Sequence, residues 1–133
     1  MLQGKVLLVD DDDEDKFIIK DAMDSLDAGD NMWYANNGEH ALEILFSNFS
    51  NAVMPCLIVL DLNMPKMNGT QTLIRLKEDK RFMHIPVIIY STSINRLEKE
   101  KCMNLGAHSY ITKPISFNES LETAQLFLNF CMP

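Results

Sequence analysis

Five side chains in this sequence could do chemistry together: Asp10, Asp11, Asp61, Ser91 and Lys113. Three carboxylates within reach of one another repel, and one must protonate unless a cation joins them. Oxygen ligands without His or Cys suit a hard divalent ion, Mg²⁺ rather than zinc. Lys113 can pair with an acid, and the Ser91 hydroxyl can donate. A metal, an ammonium and a hydroxyl around one carboxylate make a receptacle for a phosphoryl group. The carboxylate can attack phosphorus, and the equatorial oxygens of the resulting acyl phosphate then meet cation, ammonium and hydroxyl. Gly4, Gly29, Gly38, Gly69 and Gly106 stand far apart, so the chain has neither a P-loop nor a GxGxxG turn.

These residues can converge only if the fold brings them to one place, and each follows an apolar run. Leu57 to Leu60 is unbroken, lies between Pro55 and Pro65, and reads as a strand buried on both faces that ends at Asp61. Lys5 to Val9 leads to Asp10 and Asp11, Pro86 to Tyr90 to Ser91, and Ser109 to Thr112 to Lys113; Met32 to Ala35 is a further strand. Helical spacing appears between them. One helix starts at Asp13, with Ile18, Ile19, Ala22, Met23 and Leu26 on one face, and another starts at Glu39, with Ala41, Leu42 and Leu45 inward. A third follows Thr70 with Leu73, Ile74 and Leu76. The fourth spans Ile94 to Leu105, closed by Gly106, and the fifth runs from Ser116 to about Phe130. Strands alternating with helices predict an α/β fold, a parallel sheet with helices on both faces. Carboxyl ends of parallel strands share an edge, and ligands sit there. Asn63, Met64, Pro65 and Gly69 form a non-helical turn that keeps that edge open. The remaining acids, Asp12, Asp13, Glu14 and Asp15, read as a solvated helix start that suits the helix dipole.

The chain has 133 residues, 47% hydrophobic and 23% charged, which predicts one globular domain over 1–133. A net charge of −7 argues against direct binding to a nucleic-acid backbone. No apolar run approaches the roughly 20 residues that span a bilayer, and the first five residues lack a signal-peptide core. A cytoplasmic location is the expectation. Cys56, Cys102 and Cys131 are odd in number and unclustered, which argues against a disulfide framework and a structural zinc site. His40, His84 and His108 are isolated and read as structural or surface residues.

Four motifs, VLLVDDD (Val6 to Asp12), LIVLDLNMPKMNG (Leu57 to Gly69), PVIIYSTS (Pro86 to Ser93) and GAHSYITKP (Gly106 to Pro114), occur in order at the strand ends. Together they resemble the receiver domain of two-component response regulators over nearly the whole chain. The resemblance implies the flavodoxin-like receiver fold, a five-stranded parallel sheet of order 2-1-3-4-5. It also implies a role for each residue. Asp61 matches the phospho-acceptor that takes a phosphoryl group from a histidine kinase, and Asp11 the metal-binding acid, with Asp10 supporting it through water. Asn63 matches the position whose backbone carbonyl binds the metal. Ser91 stands where the family has Thr or Ser, Tyr110 matches the aromatic switch residue, and Lys113 the invariant lysine, whose bond to Pro114 is typically cis. Asn63 and Ser93 would flank the path of an attacking water. The segment between Asp11 and Asp61 is several residues longer than in many receivers. A loop extension at Phe49 to Pro55 would absorb it, as in stand-alone regulators similar to those paired with phytochrome-type kinases.

A haloacid-dehalogenase-type phosphatase also combines an aspartyl nucleophile, Ser or Thr, Lys and Mg²⁺. Its nucleophile lies in an early DxD motif, whereas here the acid pair precedes Asp61 and Asn63 follows it. A receiver-like module that no longer takes phosphate is at odds with the complete acid, hydroxyl and lysine set. Such a regulator has self-catalysed phosphoryl transfer and autodephosphorylation but is no enzyme otherwise. With no effector domain after the last helix, output would pass through a surface. Phe117, Leu121, Ala124 and Leu128 share the stripe that should pack on the sheet, leaving Leu126, Phe127 and Phe130 for a homodimer or a partner, together with the helix near Ile94 to Leu105.

Overall fold

In a computed structural model, which describes residues 4–92 and 94–132, the chain alternates strand and helix from end to end. In order these are β1 (Val6–Val9), α1 (Asp13–Ser25), a short 3-10 turn at Gly29–Asn31, β2 (Met32–Ala35), α2 (Gly38–Phe49), β3 (Leu57–Asp61), α3 (Gly69–Glu78), β4 (Val87–Ser91), α4 (Arg96–Asn104), β5 (Ser109–Thr112) and α5 (Phe117–Asn129). All strand pairings are parallel, in the order β2-β1-β3-β4-β5. This is the order implied by the motifs. Residues 50–56 form the loop that carries the chain from α2 to the central strand.

Strand alternation sorts the core into two layers. Val6, Leu8, Leu57, Val59, Ile88 and Tyr90 face the layer that includes Ile19, Ala22 and Met23 of α1 and Ala124, Phe127 and Leu128 of α5. Leu7, Val9, Ile58, Leu60 and Ile89 face the other, with Leu42 and Leu45 of α2, Leu73 and Leu76 of α3 and Cys102 of α4. Burying each large aliphatic side chain contributes about 1.5–3 kcal/mol. A sheet apolar on both faces therefore leaves only the strand ends for polar groups.

Local signals set the helix starts. Asp12 accepts the Asp15 N–H at 3.0 Å and caps α1, whose first turn carries Asp13, Glu14 and Asp15. Asn68 and Gln71 form a reciprocal capping box that starts α3 beside the end of β3. Gly69 is required there. A Cβ would press into the carbonyl oxygen of Asp61 and stand 2.7 Å from the Leu62 Cα.

Three expectations change. First, Cys56 and Cys131 are paired as a disulfide, with Cα atoms 5.3 Å apart, although 75 residues separate them. Their distance along the chain carried no hint, because the parallel topology is what brings the start of β3 to the end of α5. Cys102 remains free and buried. Second, the inward face of α5 is shifted from the expected stripe. Ala124 and Leu128 are buried and Leu121 packs against the core as expected, but Ser120, Phe127 and Cys131 are buried too, while Phe117 is 52% exposed. Phe127 is fully buried, edge-on to Tyr90 at 5.8 Å between ring centres, and is not available to a partner. Leu126 is 40% exposed and Phe130 is half-buried against His108. Third, among the described residues there is no cis peptide, so the Lys113–Pro114 bond is trans, the isomer favoured by about 0.5–1 kcal/mol for X–Pro bonds.

Constraining the unfolded chain over this separation is worth about 4 kcal/mol in the loop-entropy account. Reduction should therefore lower the melting temperature by about 10–15 °C. Calorimetric scans with and without a phosphine reductant check this, and superimposable scans would show that the bond does not form in solution.

Candidate functional site

The residues singled out from the sequence meet at the carboxyl edge of the sheet. Asp61 closes β3 and is 6% exposed, and Ser91 closes β4 and is 7% exposed. Asp10 follows β1, is wholly buried, and donates its N–H to the Ala35 carbonyl at 3.0 Å. Lys113 follows β5 and is fixed by its backbone N–H, which donates to the Ser91 carbonyl at 2.6 Å. Adjacent parallel strands in register thus deliver acid, hydroxyl and lysine to one patch.

Carboxylate oxygens of Asp10, Asp11 and Asp61 all lie within 4.8 Å of one another. Asp10 Oδ1 accepts the Asp12 N–H at 2.9 Å. Asp10 Oδ2 lies 2.9 Å from Lys113 Nζ as a buried ion pair. Asp61 Oδ1 accepts a long 3.4 Å bond from the Asn63 N–H. Burial pushes the Asp61 carboxyl up to about 6; the Lys113 charge opposes this, and the neighbouring Asp10 adds to it. Negative charge exceeds what one lysine neutralises. An oxygen-only cluster of three carboxylates facing one ammonium fits a hard divalent cation at Asp10, Asp11 and Asp61.

Lys113 Nζ is the hub. It lies 2.7 Å from Asp15 Oδ2, 2.9 Å from Asp10 Oδ2 and 3.7 Å from Asp61 Oδ2, and 5.5 Å from the Tyr90 ring centre. Burial alone would lower its pKa, but the contacts with Asp15 and Asp10 and the charges of Asp10 and Asp61 outweigh it and hold the ammonium above its ordinary value.

Asp15 is a correction to the sequence reading, which placed it in a solvated acidic turn. Its carboxylate is 27% exposed and makes the shortest contact to Lys113. Asp13, by contrast, is 97% exposed and pairs with Lys16 at 3.3 Å. The signal that could have separated them is helical: Asp15 sits in the first turn of α1, on the side turned to the sheet edge. Tyr110 is already 6% exposed, within the layer that includes Ile89, so this conformation leaves no inward rotation to be made. Asn63 is exposed after the strand. Ser93 lies outside the described residues.

The family profile described as "Response regulator receiver domain" matches residues 6–125. The chain belongs to that family. It is 33% identical to the chemotaxis protein CheY1 of Helicobacter pylori, covering 84% of this chain and 86% of that one. It is also 36% identical to the transcriptional regulatory protein CpxR of Klebsiella pneumoniae over 87% of this chain, but spans only 45% of CpxR. Among solved structures, the phosphorylated cyanobacterial phytochrome response regulator RcpA superposes with a TM-score of 0.84 at 30% identity, covering 97% of this chain and 94% of that one. A response regulator in red light signalling of R. palustris gives 0.83 at 25% identity, with 97% and 94% covered. The Mn²⁺-bound form of the response regulator Rcp1 gives 0.74 at 25% identity, with 92% and 89% covered. Two of the solved structures that this receiver domain resembles are described as phytochrome or bacteriophytochrome response regulators. Receiver domains are signalling modules that partner with histidine kinases. Among the described residues no helix is long and apolar enough to cross a membrane.

The acid cluster predicts which side chains a divalent cation needs. Asp11→Ala should weaken Mg²⁺ binding by more than about tenfold, while Asp13→Ala changes it little. Titration calorimetry on both variants distinguishes this from diffuse attraction by the acidic run, which would give equal losses.

Proposed function

We propose that this receiver domain is the phospho-acceptor of a two-component system, taking a phosphoryl group from a histidine kinase onto Asp61. The observation that carries the reading is the convergence of Asp61 with Asp10, Asp11 and Lys113 at one sheet edge, in a family whose members do this chemistry. An Asp61 oxygen attacks phosphorus. The new P–O bond forms as the P–N bond of the phosphohistidine breaks, and the imidazole leaves with the electron pair. Lys113 meets one phosphoryl oxygen and the Ser91 hydroxyl donates to another. Mg²⁺, when bound by Asp11, Asp61, the Asn63 carbonyl and, through water, Asp10, supplies positive charge for the developing oxyanions.

Switching would pass through Ser91 and Tyr110, which belong to neighbouring strands; Ile89, two before Ser91, pairs with Tyr110. With Tyr110 already inward, Ser91 bonded to the phosphoryl group would hold it there rather than draw it in. A ligand shifts such an equilibrium only through contacts that differ between the two states. The receiver reading also carries a second copy of the chain as partner. Leu126 on α5 and Phe130 just past its end, with Leu97 at 77% exposure on α4, would supply apolar surface for that dimer.

Mass spectrometry after treatment with a small-molecule phosphodonor and Mg²⁺ should show one added phosphoryl group in the wild type and none in Asp61→Asn. An undiminished adduct in the variant would sink the assignment. Ser91→Ala should still be labelled, more slowly, but its Tyr110 NMR signals should no longer respond to phosphorylation. For the dimer, sedimentation of the wild type against Leu126→Glu/Phe130→Glu should show a phosphorylation-dependent dimer only in the wild type; monomers throughout would refute it.

A further inference from the structure

We propose that Asp15 is a positioning residue that restrains phosphorylation by holding Lys113 beside the acceptor rather than on it. This rests on the phospho-acceptor reading of Asp61. An ammonium has three N–H donors and no acceptor. Here it is drawn by Asp15 of α1 at 2.7 Å and by Asp10 after β1 at 2.9 Å, and lies 3.7 Å from Asp61. The Asp15 contact is the shortest of the three and is a hydrogen bond from the ammonium. A phosphoryl oxygen on Asp61 must win that donor from a carboxylate.

Placement supports a dedicated contact rather than part of a diffuse charge. The Asp15 backbone N–H is held by the capping Asp12 side chain at 3.0 Å, which fixes the first turn of α1 at the rim of the site. Asp10 and Asp61 are interior acids, whereas Asp15 is partly open at 27% and can swing away once its lysine is taken. Glu14 and Asp13, its helical neighbours, point to solvent. Asp15 thus disfavours the phosphorylated state by competing for the ammonium.

Asp15→Asn keeps an acceptor oxygen and the side-chain shape but makes the acceptor neutral, and so weakens the bond to the Lys113 ammonium. With phosphoramidate and Mg²⁺, that variant should be labelled about fivefold faster than wild type, and its adduct should outlive the wild-type one after donor removal by a similar factor. Asp13→Asn removes the same charge from the same turn and should match wild type. In a Lys113→Met background, Asp15→Asn should change nothing, which a merely structural role for Asp15 would not predict. Equal labelling rates and lifetimes for wild type and Asp15→Asn overturn the proposal, as does equal acceleration by Asp13→Asn. A wild type that takes up no phosphoryl group overturns the phospho-acceptor reading itself, and the proposal with it.

Discussion

The arrangement depends on one ammonium. Lys113 Nζ sits among the carboxylates of Asp10, Asp15 and Asp61, and without it the wholly buried Asp10 would have no paired cation among the described residues. Removing one partner of a buried ion pair costs several kcal/mol, about 3–5, because the other charge stays behind unpaired. Sheet geometry keeps that cost from arising. Lys113 is anchored by its backbone to Ser91 before its side chain reaches across the edge. The acids arrive from β1 and β3, the lysine from β5 and the hydroxyl from β4, so no single element could assemble the group alone. Fold and site are one constraint seen at two scales.

Much of this was legible in the residues. Short apolar runs with a polar residue at their carboxyl ends mark buried parallel strands, and β2 and β5 have the expected bounds. Asp10, Asp11, Asp61, Ser91 and Lys113 needed only the rule that parallel strands share an edge. The misses share a physical cause. Asp15 is four residues beyond Asp11, and its meeting with Lys113 depends on how α1 is turned over the sheet. Cys56 and Cys131 meet because a strand start and a helix end fall at the opposite edge, a fact of topology and not of spacing.

The phase of α5 shows the limit of periodicity. Phe117, Leu121, Ala124 and Leu128 make a fair helical stripe, yet the buried face is Ser120, Ala124, Phe127 and Leu128. Two registers separated by a small rotation score alike in the sequence; packing decides between them. Tyr90 offers an edge-to-face partner to Phe127, and Ser120 can be buried because its hydroxyl donates to the Phe117 carbonyl at 2.6 Å. A polar residue that satisfies itself within its own turn is invisible to a hydrophobic pattern.

The bond between Cys56 and Cys131 also divides the molecule mechanically. It closes a covalent ring that contains β3, α3, β4, α4, β5 and α5, and leaves β1, α1, β2 and α2 outside it. Tension applied to the two ends of the chain runs along the first half, crosses from Cys56 to Cys131, and bypasses everything between. The strand that carries Asp61, with those that carry Ser91 and Lys113, lies within the shielded loop. Asp10 and Asp15 lie on the segment that would bear the load, so a pull would strip the site of these two acids while the acceptor, hydroxyl and lysine stayed within an unextended ring.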